Sequence, residues 1–444
     1  MTGTGPAARL PGPWQAGRPL LRRLRHNLRP WLGRLALRLR LLALRLVPDR
    51  RLPLALVVPV WNDAAGLARL MARLAPLRLF TEVVVVDDGS DPPLAPPRLP
   101  GARVRLIRHA TPQGGGPARN AGLAAVTQPW MMYIDSDDLP APDLPALIAD
   151  LADEVAAGRG FDLCLFKHAD SRLGPEARWG QPHWDEALWH RAGHATGALV
   201  PARPGALPIL AQTANYPWNK VYRTALLRDN GIGCAATVVH QDIALHWRAL
   251  IAAQRVLVSD RIGVWHGVDV GTALHPAPLL AGLPARLTSR RGEERLQVFA
   301  ALDPVVPEVA AAGPAWQAAY AAFVLDLIDW TEERIGMAPA LRLRRAEAIW
   351  LAATLAPWLP LLARLDAALA ARIETRIGSG PAEPGTAHAS APAAPATAPR
   401  EAFPASSKPE NEPGPAPWPE PAIGAAEQKK APVDGRGRTR GKAS

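Results

Sequence analysis

Short apolar runs alternate with stretches of helical periodicity from Leu54 onward, and this alternation restricts the fold more than any other feature. The runs are rich in β-branched residues and lie at residues 54–60, 82–88, 103–109, 131–135 and 162–167. Strands that are apolar along nearly their whole length are typical of sheets covered on both faces. The segments AAGLARLMARLAP and GPARNAGLAAV between them have helical character. The pattern predicts an α/β fold with a mostly parallel sheet flanked by helices.

Polar or glycine-rich sequences follow each of the first four predicted strands. They read WND, DDGSD, TPQGGGPARN and DSDD in chain order. In open α/β sheets the ligand binds beyond the carboxyl ends of the strands. Four such loops at one edge therefore predict a binding site there.

The stretch WMMYIDSDDLP places Asp135, Asp137 and Asp138 directly after a hydrophobic run. One interpretation is an acidic turn in which Asp138 opens the helix around APDLPALIADL as its N-cap. The other is a divalent cation site, because close carboxylates repel one another unless a proton or a metal lies between them. The motif alone does not choose between the two, but the neighbouring polar loops favour the cation.

Charge is concentrated at the amino terminus of this 444-residue chain. Residues 1–48 carry ten arginines and no acidic residue, and so supply ten units of the net charge of +11. Leucines and arginines interleave there without the uncharged run of about 18 residues that a membrane span needs. We expect residues 1–52 to form a basic amphipathic segment suited to an anionic membrane surface. A disordered arm, or a helix docked on the folded body, is the alternative.

Composition divides the rest of the chain into three parts. Residues 53–275 contain the α/β pattern, residues 276–377 read as a helical region, and residues 378–444 are a Pro/Ala-rich tail that we expect to be disordered. The two cysteines, Cys164 and Cys234, form no disulfide framework and no zinc motif. A reducing, cytoplasmic location is therefore expected.

The motifs VVPVWN, VVVVDDGSD, GGGPARNAGL, MMYIDSDD and YPWNKVYR together resemble those of the family 2 glycosyltransferases. The resemblance covers roughly residues 54–270. It implies the GT-A type, Rossmann-like nucleotide-sugar-binding fold and an inverting transfer of a sugar to a hydroxyl. In such enzymes the last Asp of the D-x-D motif, here Asp137, usually contacts Mn²⁺ or Mg²⁺. Asp135 would then lie near the ribose or the water shell of the metal.

The resemblance also assigns residues to the donor nucleotide. Asp87 or Asp88 would accept a hydrogen bond from the base, and Pro59 with Trp61 or Asn62 would line the base pocket. Two further donor contacts are expected at the third loop, where the side chains are Arg119 and Asn120. A plain Asp-Gly turn and a solvated arginine are the alternative interpretations.

The later motifs of the resemblance imply the acceptor contacts and the catalytic base. PWNKVYR resembles a segment beside the acceptor site, so Trp218, Asn219 and Lys220 are the candidate acceptor contacts. Asp242 corresponds to the catalytic base that takes the acceptor proton, although Gln241 replaces the acidic residue usually found before it. Asp242 is also a plausible helix N-cap. His266 is a candidate metal or phosphate contact or a structural histidine.

These motifs predict a metal-dependent glycosyltransferase that uses a nucleotide-diphosphate sugar and a glycan or lipid-linked acceptor in surface glycan or polysaccharide synthesis. A nucleotidyltransferase is one alternative, but PVWNDAAGLARL has little of the glycine- and lysine/arginine-rich signature expected in its first loop. A non-catalytic scaffold at the membrane surface is the other. No nucleic-acid partner is expected, because the charge excess lies almost wholly in residues 1–48.

Overall fold

The computed structural model describes residues 51–170, 182–194, 197–266, 294–333, 335 and 337–379. The predictions for the basic N-terminal segment and for the Pro/Ala-rich tail fall almost entirely outside the described residues.

The first four strands form the parallel part of the sheet. They are β1 (Leu54–Val60), β2 (Glu82–Asp87), β3 (Arg103–Arg108) and β4 (Trp130–Tyr133). Their order in space is β3–β2–β1–β4, and every neighbouring pair is parallel, so their carboxyl ends lie at one edge. Helix α1 (Ala64–Leu74) follows β1, and α2 (Gly115–Ala125) follows β3.

Five further strands extend this sheet and make it mixed. They are β5 (Leu139–Pro140), β6 (Leu163–Asp170), β7 (Val200–Pro201), β8 (Lys220–Arg223) and β9 (Val256–His266). β8 lies antiparallel between β4 and β6, and β9 lies parallel to β6. β5 and β7 both pair antiparallel with β9. The predicted GT-A type α/β fold is confirmed, with antiparallel pairs in the second half of the sheet.

Burial follows the apolar pattern in the central strands and departs from it at the edge. β1 and β2 are buried along nearly their whole length. β3 is less covered, with Arg103 and Arg108 exposed, because it is the last strand on its side of the sheet. Helix α2 packs very closely on β1, since a Cβ on Gly122 would lie 2.3 Å from a methyl carbon of Val57. This close packing holds the start of α2 over the carboxyl edge of the strands.

The other helices of the α/β region lie between the later strands. They are α3 (Leu144–Ala156), α4 (Pro182–Ala192), α5 (Leu207–Leu210), α6 (Thr224–Asp229) and α7 (Ile243–Ala252). The predicted helical C-terminal region follows as α8 (Val298–Leu302), α9 (Val306–Ala312), α10 (Pro314–Glu332), α11 (Met337–Thr354), α12 (Leu359–Leu365) and α13 (Ala367–Gly378).

This helical region packs directly on the α/β region. The buried indole of Trp247 in α7 contacts Trp316, Tyr320 and Phe323 of α10, with ring centroids 6.2, 5.0 and 5.2 Å away. Arg248 pairs with Glu308 of α9 at 2.7 Å. Because α7 directly follows Asp242, these contacts also fix the position of the predicted catalytic base.

Among the described residues, no single helix is long and apolar enough to cross a membrane. Two consecutive segments, Pro339–Thr354 and Ala356–Leu365, are together long and apolar enough for a membrane span, but the chain bends by 45° between them.

Candidate active site

The four polar loops converge as predicted at the carboxyl edge of the parallel strands, where they enclose a cleft of about 230 Å³. The lining residues come from all four loops and from the start of α2: Pro59, Val60, Trp61, Asp63, Asp88, Gly115, Ala118, Arg119, Asp135, Ser136 and Asp137. The strand-end rule thus places the cleft correctly, because parallel strands present their following loops on one side.

The two aspartates of the DDGS loop have different surroundings. Asp87 is fully buried and accepts hydrogen bonds from the backbone N–H groups of Ser90 at 2.8 Å and Leu94 at 3.2 Å, and it pairs with Arg108. Burial alone would raise the pKa of Asp87, but these hydrogen bonds hold it below its usual value. The oxygens of Asp87 thus shape the loop, and Asp87 is not among the residues that line the cleft.

Asp88 is the aspartate of this loop that lines the cleft. One carboxylate oxygen lies 2.7 Å from Nδ1 of His109, and the other accepts a hydrogen bond from the N–H of Gly114 at 2.7 Å. Asp88 therefore joins the second polar loop to the third, immediately before α2 begins. Both oxygens of Asp88 have partners as well, so it is the place of Asp88 in the cleft lining that favours it over Asp87 as the group that faces a ligand.

Of the residues at and after the end of β1, some line the cleft and one holds the loops together. Pro59 and Trp61 line the cleft, and the indole of Trp61 is 58% exposed at its wall. Asn62 instead ties the first loop to the second: its N–H donates to Oγ of Ser90 at 2.9 Å, and its Oδ1 accepts from the N–H of Asp91 at 2.8 Å. Asn62 adopts a left-handed backbone, with φ 53°. Its predicted direct contact with the base is therefore replaced by a role in loop geometry.

Arg119 projects from α2 into the cleft and pairs with Asp135. One guanidinium nitrogen, Nη2, lies 2.6 and 2.8 Å from the two carboxylate oxygens. Burial lowers the pKa of Arg119, but the charge of Asp135, the hydrogen bond to it and the nearby Cys234 and Asp242 together hold the pKa above its usual value. The predicted donor contact Arg119 and the predicted ribose or metal contact Asp135 thus form one ion pair in the wall of the cleft.

Asn120, the next residue of α2, points away from the donor side. Its side-chain amide donates to the carbonyl of Cys234 and accepts from the N–H of Cys234, both at 2.8 Å. The predicted donor contact is wrong, because both polar ends of the amide bind the backbone. Asn120 instead holds the segment that leads to Asp242 against α2.

The carboxylates of Asp135, Asp137 and Asp138 come together at the floor of the site. Each can offer one oxygen so that all three oxygens lie within 4.8 Å of one another. Burial and the charges of Asp138 and Asp135 together raise the pKa of Asp137 to about 7, against the opposing charge of His266. Clustered, partly buried carboxylate oxygens fit a hard divalent cation such as Mg²⁺ or Mn²⁺.

Asp138 does not begin a helix. It is fully buried, and its Oδ1 lies 2.7 Å from Nδ1 of His266 at the end of β9. The residue at the N-cap position of α3 is Asp143. The helix-cap interpretation of Asp138 is wrong. His266 lies against the acidic cluster, and its predicted contact with a metal or a phosphate stays a prediction.

Asp242 occupies the N-cap position of α7, but its side chain makes no capping hydrogen bond. Burial raises its pKa, while the charges of Arg119 and Lys220 lower it and that of Asp135 raises it. The charged residues of the cleft wall therefore act on Asp242. The predicted N-cap position is correct, but the carboxylate of Asp242 does not cap the helix.

Gln241 lies against the start of α2. A Cβ on Gly116 would lie 2.3 Å from the carbonyl oxygen of Ala235 and 2.8 Å from Oε1 of Gln241. Glycine at this position therefore allows the segment before Asp242 to approach the helix. Gly115, one residue earlier, lines the cleft itself.

Comparison with known proteins agrees with this geometry. Residues 55–162 match the sequence model of Glycosyl transferase family 2. Residues 55–162 therefore form a glycosyl transferase family 2 domain. The pre-mycofactocin glycosyltransferase of Mycobacterium tuberculosis is 30% identical over 209 residues, which are 45% of this chain and 39% of that protein. The succinoglycan biosynthesis protein ExoO of Rhizobium meliloti is 38% identical over 114 residues, or 25% of this chain and 32% of that protein.

The chain thus spans less than half the length of these curated relatives. Among solved structures, Staphylococcus aureus TarS 1-349 superposes with a TM-score of 0.50 at 17% identity, covering 73% of this chain and 88% of that one. At this identity the superposition supports the fold of the family 2 domain and its helical extension.

The predicted acceptor residues of the family 2 domain are buried. Trp218 is 1% exposed and packs against Tyr216, His168 and His266, with ring centroids 4.5, 4.7 and 4.9 Å away. The indole offers no accessible face to a sugar, so the predicted stacking contact is wrong.

Asn219 and Lys220 are equally enclosed, at 2% and 0% exposure. Nζ of Lys220 donates to Oδ1 of Asn219 and to the carbonyl of Tyr216, both at 2.6 Å. Burial lowers the pKa of Lys220 to about 7, and the carboxylates of Asp242 and Asp185 oppose that effect. The direct acceptor contacts predicted for both residues are therefore wrong, and Lys220 is instead an electrostatic neighbour of Asp242.

The sequence analysis missed two polar residues of the family 2 site. Asp63 caps α1 through a 2.9 Å hydrogen bond from the N–H of Gly66, and its other oxygen accepts from the hydroxyl of Ser136 at 2.7 Å. Both side chains line the cleft. Asp63 could have been predicted from the sequence, because it directly precedes α1 and an aspartate at that position is a typical helix N-cap. An N-cap residue after β1 also lies at the carboxyl edge of the sheet.

Metal affinity of the family 2 site is expected to rise with pH. A proton on Asp137 competes with a cation, and its pKa of about 7 lies well above the ordinary 3.8. We expect the Mn²⁺ association constant to increase about fivefold between pH 6 and pH 7, to reach about tenfold at pH 8, and to level off above that pH. Titration with Mn²⁺ at these pH values, without nucleotide, measures the effect. A flat profile from pH 6 to 8 would show that Asp137 is not a ligand.

Proposed function

We propose that this chain is a metal-dependent, inverting glycosyltransferase that moves a sugar from a nucleotide-diphosphate sugar to an acceptor hydroxyl. The observation that carries the proposal is the ion pair of Arg119 with Asp135 in the wall of the cleft, because Asp135 belongs to the acidic cluster and the charge of Arg119 acts on Asp242.

The nucleotide-sugar donor binds in the cleft. Asp88, Pro59 and Trp61 enclose the space for the nucleoside, and Asp137, with Asp135 and Asp138 beside it, would hold Mn²⁺ or Mg²⁺. The cation, when bound, supplies positive charge that stabilises the diphosphate leaving group. Arg119 adds a second positive charge, fixed in place by its pairing with Asp135.

Asp242 acts on the acceptor as the catalytic base. Its carboxylate takes the proton from the acceptor hydroxyl as that oxygen attacks the anomeric carbon, and the bond from that carbon to the diphosphate oxygen breaks with its electron pair on the diphosphate. Attack from the face opposite the leaving group inverts the configuration. A raised pKa brings Asp242 closer to the basicity that proton transfer near neutral pH requires.

Release of nucleoside diphosphate from a panel of UDP- and GDP-sugars tests the proposal. We expect slow, Mn²⁺-dependent hydrolysis of one donor by water and a faster reaction when a suitable hydroxyl acceptor is present. Incorporation of a nucleotide rather than a sugar into the acceptor would identify a nucleotidyltransferase instead.

The acceptor class is proposed from the name of one relative. The Rhizobium protein is named for succinoglycan biosynthesis, which favours a glycan or lipid-linked acceptor in envelope polysaccharide synthesis. We place the reaction in the cytoplasm, with the enzyme peripheral on the inner face of the membrane. The basic segment at residues 1–48, outside the described residues, would attract anionic lipids.

Removal of residues 1–48 tests this association. We expect the partition onto vesicles that contain phosphatidylglycerol to fall at least tenfold, because ten arginines are lost, while the dissociation constant for nucleoside diphosphate stays the same. Sedimentation with vesicles and calorimetry measure the two quantities. Undiminished vesicle binding would exclude a role of this segment at the membrane.

A further inference from the structure

Helix α11 carries an exposed apolar face that the transferase site does not use. Leu341 is 56% exposed and Ile349 is 72% exposed, whereas Leu343 and Leu351 of the same helix are fully buried. Leu341, Arg345 and Ile349 are spaced four residues apart and therefore lie along one face. Alanines at residues 352 and 353 continue this exposed surface.

The exposed charges that α11 itself contributes are all positive, and one of them, Arg344, is paired with Glu332 of α10. Arg342, Arg344 and Arg345 are all exposed beside the two large apolar side chains. The one acidic residue in Met337–Thr354 is Glu347, which is buried and pairs with Arg376 of α13 at 2.8 Å. The exposed side of α11 thus combines aliphatic groups and arginines with no carboxylate of its own.

We propose that this α11 face docks on an anionic lipid surface. Aliphatic side chains flanked by arginines match the boundary between acyl chains and anionic headgroups. A nucleic acid would leave Leu341 and Ile349 without an apolar partner. The segment at residues 1–48 is a poor occupant, because its ten arginines would face the arginines of α11.

This contact extends the peripheral association proposed above but is carried by a different surface, and it does not require the transferase reaction. Because α10 joins α11 to the packing around Trp247, docking through α11 would hold the family 2 domain close to a lipid-linked acceptor.

Sedimentation of the full-length protein with vesicles tests the α11 face. The vesicles contain phosphatidylcholine alone or with phosphatidylglycerol, and the variants are Leu341→Ser/Ile349→Ser and Arg345→Glu. Val238→Ser is the matched control, since Val238 is 55% exposed in the segment before α7. Thermal midpoints and nucleotide titrations verify that each variant is folded and has an intact donor site.

We expect the partition of the double variant onto phosphatidylglycerol vesicles to fall at least tenfold. The partition of Arg345→Glu should fall about tenfold and depend less on salt. The partition of the control should change less than twofold. Wild-type binding by both α11 variants would overturn the proposal. So would a concentration-dependent dimer that the double variant abolishes while vesicle binding persists, because the face would then contact a second copy of the chain. Donor binding reports on the transferase proposal separately.

Discussion

Replacement of Asp242 by Asn is expected to lower kcat for sugar transfer by about a thousandfold, because no other carboxylate is proposed to take the acceptor proton. Asparagine keeps the shape and the position at the start of α7, and Asp242 makes no capping hydrogen bond that the change would break. Binding of nucleoside diphosphate with Mn²⁺ should stay within about twofold of wild type. Steady-state kinetics and calorimetry on the same preparation separate the two effects.

Asp229→Asn is the matched control for this experiment, since Asp229 is an exposed aspartate at the end of α6. It should turn over like wild type. If Asp242→Asn also keeps normal turnover, Asp242 is not the base.

Replacement of Asp137 by Asn is expected to weaken Mn²⁺-dependent donor binding at least about a hundredfold, because the proposed metal ligand is lost. Arg119 and Asp88 remain in the cleft, so any binding that persists should be insensitive to EDTA. Calorimetric titration in Mn²⁺ and in EDTA distinguishes the two contributions. Asp91→Asn, an exposed carboxylate on a neighbouring loop, is the control and should bind like wild type.

The stability of the same variant separates loss of a ligand from loss of the fold. In the metal-free protein the pKa of Asp137 is raised to about 7, so the folded state loses stability as the pH rises from about 4 to 7. Asparagine removes that cost. The metal-free variant should therefore melt at a higher temperature than wild type at pH 8, and a lower melting temperature would indicate general damage to the site.

The sheet edge and the acidic cluster were predictable from the sequence because both depend on local order along the chain. Apolar runs predicted the first four strands to within two residues at each end, and the ends of parallel strands fix where the following loops meet. Asp137 could be placed in the cleft on that basis alone.

The direction of individual side chains was not predictable in this way. Asn120 points toward Cys234, which is 114 residues later in the chain, and nothing near Asn120 indicates that contact. Trp218 is covered partly by His266 from β9, a strand that the sequence analysis did not assign. Asp87 and Asp88 are adjacent in sequence, yet the hydrogen bonds from Leu94 and Arg108 turn one inward and leave the other at the cleft.

The same limit applies to the edge strand. The apolar content of residues 103–109 predicted burial on both faces, but β3 pairs on one side alone, and its arginines reach across to neighbouring carboxylates. Arg105 lies 3.2 Å from the buried Glu82, so the positive charges of this strand serve packing at the edge.

Calorimetric titration of the wild-type protein with UDP and GDP, each in Mn²⁺ and in EDTA, tests the central claim most directly. Saturable binding of at least one nucleotide that requires Mn²⁺ is the predicted result, because the diphosphate and the carboxylates of the acidic cluster would both bind the cation. Absence of metal-dependent binding for these and the other common nucleoside diphosphates would contradict a nucleotide-sugar site in the cleft.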